Sequence, residues 1–253
     1  MQDSNPQQKY KKKPLDIAMQ IQLLRERGLI IGDEVFAHKI LSDVGYYHLS
    51  SYFKGFQDRE DIFEKGITME DIWNIYTFDQ NLRILLLDVL ERVEKAFKAI
   101  LTNKISVSLD DSHWVYEDSY FVTKPGGSYK KERSEILNNL IGDKKEKHIQ
   151  NYIRKYYEPV NPPVWMVFES LSFGRALKIF RQLNSQHKKH LSKEFLLPER
   201  TLESWMYLMT ALRNICAHHT RLWDKNIHHK PYINARFFKG LFNSEKWRYS
   251  EAF

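Results

Sequence analysis

The residues most able to do chemistry lie in one stretch, Arg213-Asn214-Ile215-Cys216-Ala217-His218-His219-Thr220-Arg221-Leu222-Trp223. A helix turns about 100° per residue, so positions four apart stack on one face and Asn214 sits with His218. Arg213 lies beside Asn214, and its long stem can swing the guanidinium toward His218. Metal-free RNA cleavage needs a base for the ribose 2′-OH, an acid for the leaving 5′-oxygen and a cation for the charge on the phosphate oxygens. Histidine titrates near neutrality and serves as base or acid. Arginine presents a fixed fork of donors to phosphate. Asparagine orients the imidazole or holds a phosphate oxygen. Arg213, Asn214 and His218 are therefore the catalytic candidates, with His219 and Arg221 as supporting phosphate contacts.

Other chemistries find less support. Cys216 falls on the apolar face of Met209 and Leu212, which makes it a core residue rather than a nucleophile. The histidines at 218, 219, 228 and 229 lack a companion cysteine and any known ligand spacing, so no metal site is expected. Gly126-Gly127 lacks the lysine and the strand context of a phosphate loop, and no cofactor is expected.

The elements that must position these residues are helical. Pro14 can open a first helix carrying Ile17, Ile21 and Leu24, with Gly28 at its end. A second runs from Asp33 to Gly45, and Tyr46–Phe53 continues as helix, with strand as the alternative. Thr68-Met-Glu-Asp71 resembles a capping box. Behind it Ile72, Ile75, Leu82, Leu86, Val89, Val93, Phe97 and Ile100 recur every three or four residues over about nine turns. Asp79 and Arg83 stand four apart and should meet on that helix's surface, with Glu91 and Glu94 further along. Residues 105–129 read as irregular, 130–157 as a basic amphipathic stretch, and 165–180 as helix with Gly174 as a kink. Pro198 opens the last long helix, carrying Leu202, Met206 and Cys216. The fold class expected is all-α, a helical bundle.

Composition narrows the setting. The chain has 253 residues, 39 Lys+Arg against 32 Asp+Glu, and a net charge of +7. Its 42% hydrophobic content excludes intrinsic disorder, and 10 Gly with 8 Pro exclude a collagen-like chain. One cysteine excludes an internal disulfide, so a reducing cytoplasm is expected. The polar N-terminus carries no secretory signal, and no apolar run reaches the roughly 20 residues of a bilayer span. From Arg213 onward eight basic residues oppose three acids, a net of +5. That excess lies where a phosphate chain would pass. Aromatic residues are interleaved there, including Trp223 and Tyr232, and can stack on unpaired bases.

Six segments, in order, carry a family resemblance. They are Lys13-Pro-Leu with Leu23-Leu-x-x-Arg-Gly28, Gly45-Tyr-Tyr-His-Leu-Ser-x-Tyr52, Ile75-Tyr-x-Phe-Asp-x-x-Leu-Arg83, Glu91-x-x-Glu94, Pro163-x-Trp-x-x-x-Glu-x-Leu-Ser-Phe-Gly174, and Arg213-Asn-x-Cys-Ala-His-His-x-Arg-Leu-Trp. Together they resemble the Abi-like proteins, the AbiD/AbiF group of bacterial abortive-infection proteins, over roughly residues 12–225. That family is placed in the HEPN superfamily, whose Arg-x(4–6)-His motif is matched by Arg213, Asn214 and His218. The resemblance implies a HEPN-type bundle with additional N-terminal helices and a metal-independent endoribonuclease leaving 2′,3′-cyclic phosphate and 5′-hydroxyl ends. Only one such motif is found. The resemblance therefore implies a homodimer with a composite site, and partners that include RNA and an antitoxin protein or structured noncoding RNA.

The organisation expected is a disordered basic arm at 1–13, the Abi-like helical domain at 14–225, and a C-terminal extension at 226–253. Two other readings stand beside the ribonuclease. In one, the same basic, aromatic surface binds RNA or a partner without cutting. In the other, Arg213, Asn214 and His218 cap the last helix and tie it to Asp79, Glu91 or Glu94 of the long helix.

Overall fold

The computed structural model describes residues 13–141 and 146–233. Most of the basic arm expected at 1–13, and the C-terminal extension from residue 234, lie outside the described residues. Among the described residues there are ten α-helices and no β-strand, an all-α bundle as expected. They fall into two units, residues up to Leu82 with Arg221–Asp224, and Arg83–Thr220 with the residues after Asp224.

In the first unit, α1 (Ile17–Glu26) opens beneath Asp16, whose carboxylate accepts the Met19 N–H at 2.8 Å. Pro14 therefore precedes the helix rather than opening it. Asp33 caps α2 (Glu34–Val44) in the same way through the Phe36 N–H. Gly45 separates α2 from α3 (Tyr46–Phe53) at φ +83°, a conformation L side chains rarely adopt. The helical reading of Tyr46–Phe53 holds. Ile21, Leu24, Ile40, Leu49, Tyr52, Phe53 and Met69 form the core of this unit. Trp223, which follows the motif in sequence, packs against it and stacks on Phe56, the ring planes 10° apart.

The long helix α4 (Met69–Leu109) has 41 residues. Its start is the reciprocal box read from the sequence. The Thr68 N–H donates to Asp71 at 2.9 Å, and the Asp71 N–H donates to Thr68 Oγ1 at 3.1 Å. The Thr68 hydroxyl also donates to the Asp71 carboxylate at 2.7 Å, and this bond, with the one from the Thr68 N–H, holds the Asp71 carboxyl below the usual carboxylate range. The helix outlasts the expected nine turns because Leu101 and Ile105 continue its buried face.

The second unit contains α4 from Arg83 and six further helices. They are α5 (Ser128–Ile141), α6 (Lys147–Lys155), α7 (Val164–Ser170), α8 (Phe173–Gln182), α9 (Ser185–Glu194) and α10 (Glu199–Ala217). Of the stretch read as irregular, residues 105–109 belong to α4 and 128–129 to α5, and three short 3-10 turns lie between them. Phe97 of α4 lies at the centre of the core, its ring 5.6 Å from Phe180 and 5.7 Å from Phe173. The helix expected over 165–180 is two helices. It breaks at Leu171 and Ser172 rather than at Gly174. Gly174 lies inside α8, where an added Cβ would sit 3.4 Å from the Thr210 methyl group of α10.

Candidate functional site

Pro198 is the N-cap of α10, and the helix closes at the motif itself. His218 is its C-cap, with its backbone N–H on the Asn214 carbonyl at 3.0 Å. The His219 N–H then donates to Cys216, and the Thr220 N–H to Ile215 at 3.1 Å. This is a Schellman closure, and it requires a left-handed residue at position 219. His219 takes that place at φ +55°, where glycine is the usual occupant. The paired histidines thus mark the point where the chain turns out of the helix. Asn214, His218 and His219 are all exposed, and Cys216 is buried, as a core role requires. Neither imidazole takes a hydrogen bond or ion pair from its ring among the described residues.

Arg213 faces another way. Its Nε donates to Oε2 of Glu94 on α4 at 3.1 Å, and Oε1 of the same carboxylate holds Lys98 at 2.8 Å. No hydrogen bond from its two terminal nitrogens is found among the described residues. It lines a cavity of about 740 Å³ with Glu91, Glu94, Lys98, Trp165 and Glu169. His218 is not among the lining residues. Five positions place it about 140° around the helix axis from Arg213. The arginine and the histidine of one chain therefore project in different directions.

The remaining candidates have other places. Asp79 and Arg83 are buried, at 0% and 5% exposure, which corrects the expected surface pair. Asp79 accepts the Tyr52 hydroxyl at 2.6 Å and the backbone N–H groups of Leu222 and Trp223 at 3.1 and 2.6 Å. It anchors the segment that follows the motif within the first unit. The spacing of Asp79 and Arg83 is that of a surface pair, and the inward backbone donors that Asp79 accepts are not revealed by sequence spacing. Arg221 also belongs to the first unit, with its guanidinium 5.7 Å from the Trp223 ring. Glu91 pairs with Lys95 at 2.5 Å, and that bond, with the charge of Glu91, raises the Lys95 ammonium above its ordinary range.

Sequence reasoning missed Lys98, Trp165 and Glu169 as neighbours of Arg213. Their spacing carried a signal. Lys98 lies four residues after Glu94, and Glu169 four after Trp165, so each pair shares a helix face. Among the described residues no group of three or more His, Cys, Asp or Glu could hold a metal ion. No described helix is long and apolar enough to cross a membrane.

Fold and site define an all-α protein whose last described helix ends in an Arg-Asn-x-x-x-His turn with Asn214 and His218 exposed. The family described as Abi-like protein matches residues 39–224, well over half of the chain and all of that turn. The chain belongs to this family, and membership supports an abortive-infection type of function. No curated protein and no solved structure matches the chain.

Proposed function

We propose that this chain is a metal-independent endoribonuclease of the HEPN type that acts in abortive infection. The observation that carries the reading is the exposed His218 at the end of α10, its ring without a hydrogen bond among the described residues, one turn from Asn214 and on the same short helix end as Arg213. His218 is the acid/base, Arg213 the phosphate clamp and Asn214 the orienting group, with His219 at the rim. Cleavage by 2′-OH attack conserves atoms without water. The 2′-oxygen bonds to phosphorus, the 5′-oxygen departs with a proton, and the ends are a 2′,3′-cyclic phosphate and a 5′-hydroxyl.

The divergence of Arg213 and His218 on one helix supports a composite site. A second copy, related by a two-fold axis, would bring a second histidine to the same phosphate. The left-handed histidine at 219 supports the same placement, since backbone strain held by surrounding structure clusters at functional sites.

The Arg213–Glu94 ion pair favours a second reading, in which Arg213 ties α10 to α4 and serves the fold alone. End-group analysis separates the two. The ribonuclease reading expects purified protein to release 5′-hydroxyl and 2′,3′-cyclic phosphate ends from single-stranded RNA in excess EDTA. Products with 5′-phosphate ends, or no products from protein shown to be folded and dimeric, remove it.

A further inference from the structure

The segment around Trp165 belongs to the family resemblance but has no part in the cleavage chemistry. Most of it is core, since Val164, Val167, Phe168, Leu171 and Phe173 are all buried. Trp165 is 54% exposed, and Glu169, one turn later, is exposed too. Core packing does not account for a tryptophan that leaves half its surface in water. Both residues line the cavity that Arg213 lines. Two separate sequence motifs thus meet in one groove.

The groove has the parts of a nucleotide site. Its volume of about 740 Å³ lies within the roughly 300–1,000 Å³ usual for ligand pockets. Trp165 supplies an accessible aromatic face, on which an unpaired base stacks. Arg213 keeps its terminal nitrogens for a phosphate oxygen, and Lys98 adds a second cation. Glu169 makes no ion pair among the described residues, so its carboxylate can accept the N–H edge of a base. Three carboxylates balance three cations along the walls. Such a groove does not attract a long phosphate chain, but it does suit one nucleotide.

We propose that the groove formed by α4, α7 and α10 is a subsite for one unpaired RNA base, stacked on Trp165 with its N–H edge on Glu169 and its phosphate on Arg213 and Lys98. The choice of ligand rests on the ribonuclease reading. Guanine is preferred, because N1–H and the 2-amino group present two parallel donors to one carboxylate. Uracil presents a single donor.

Binding is measured on the full chain carrying His218→Ala, so that no cleavage interferes, with fluorescein-labelled UUGUUU and UUUUUU and anisotropy as the readout. Adding Trp165→Ala should weaken UUGUUU binding about ten- to a hundredfold. Trp165→Phe should restore most of it, and Glu169→Gln should erase the preference for UUGUUU over UUUUUU. Unchanged binding in Trp165→Ala, no rescue by phenylalanine, or an undiminished guanine preference in Glu169→Gln overturns the proposal. The two readings fail separately. Protein that binds UUGUUU through Trp165 but cuts no RNA keeps the subsite and loses the ribonuclease. Protein that cuts RNA with the same KM in Trp165→Ala keeps the ribonuclease and loses the subsite.

Discussion

Glu94 holds Arg213 by its Nε, 3.1 Å from one carboxylate oxygen, and the two terminal nitrogens of the guanidinium make no hydrogen bond among the described residues. The bond fixes the plane of the guanidinium while sparing the donors that a phosphate would use. The same carboxylate is nearly buried and also holds Lys98, so two cations share one negative charge on α4.

Removing Glu94 therefore strands two charges. Glu94→Ala should lower unfolding free energy by about 2–4 kcal/mol in urea titration. Glu94→Gln should cost less, because an amide oxygen still accepts one hydrogen bond. If Glu94→Ala unfolds at the wild-type midpoint, Glu94 is not the anchor of Arg213.

In the first unit, Asp79 gathers Tyr52 and the backbone after the motif. Tyr52→Phe should cost about 1.5–3 kcal/mol, as hydrogen bonds to charged acceptors do. Asp79→Asn should cost more and speed hydrogen exchange at the Leu222 and Trp223 amides. A double-mutant cycle should give a coupling of about 0.5–3 kcal/mol between Tyr52 and Asp79, and additivity would contradict the bond.

How much of this was legible follows from what each residue faces. The α4 helix was readable because its apolar period is sustained, and the Thr68–Asp71 box because both partners are local. The α9 helix was not, since Leu191 is the single apolar residue of Ser185–Glu194. The break at Leu171–Ser172 was hidden because apolar spacing continues across it. The motif Arg213, Asn214, His218 was visible as a string, but its partner was not. Asp79, Glu91 and Glu94 were equally plausible by spacing, and only the ion pair formed in the fold selects Glu94.

His219 occupies a backbone position better suited to glycine. His219→Gly should raise stability by about 0.5–1 kcal/mol by relieving the left-handed conformation. If the imidazole also contacts RNA, cleavage falls in the same variant while its melting temperature rises. A fall in both would mean that the side chain supports the fold.

Stability should also depend on pH through His187. Burial, with the nearby charge of His190 as a lesser cause, holds its imidazole below the usual 6.5. The unfolded chain therefore binds the proton more readily than the folded one. Stability falls as pH drops below about 6.5 and levels off once the folded imidazole is itself protonated. His187→Gln should flatten that part of a urea-midpoint profile between pH 5 and 7, and an unchanged slope would place the proton uptake elsewhere.

The most direct test of the central claim is His218→Ala in an RNA cleavage assay with EDTA present, alongside the growth arrest expected of the wild-type chain on expression. His218 is exposed, so the variant should fold with an unchanged melting temperature. Loss of both cleavage and growth arrest at wild-type stability is the result predicted. Full cleavage with full growth arrest in His218→Ala would contradict the account.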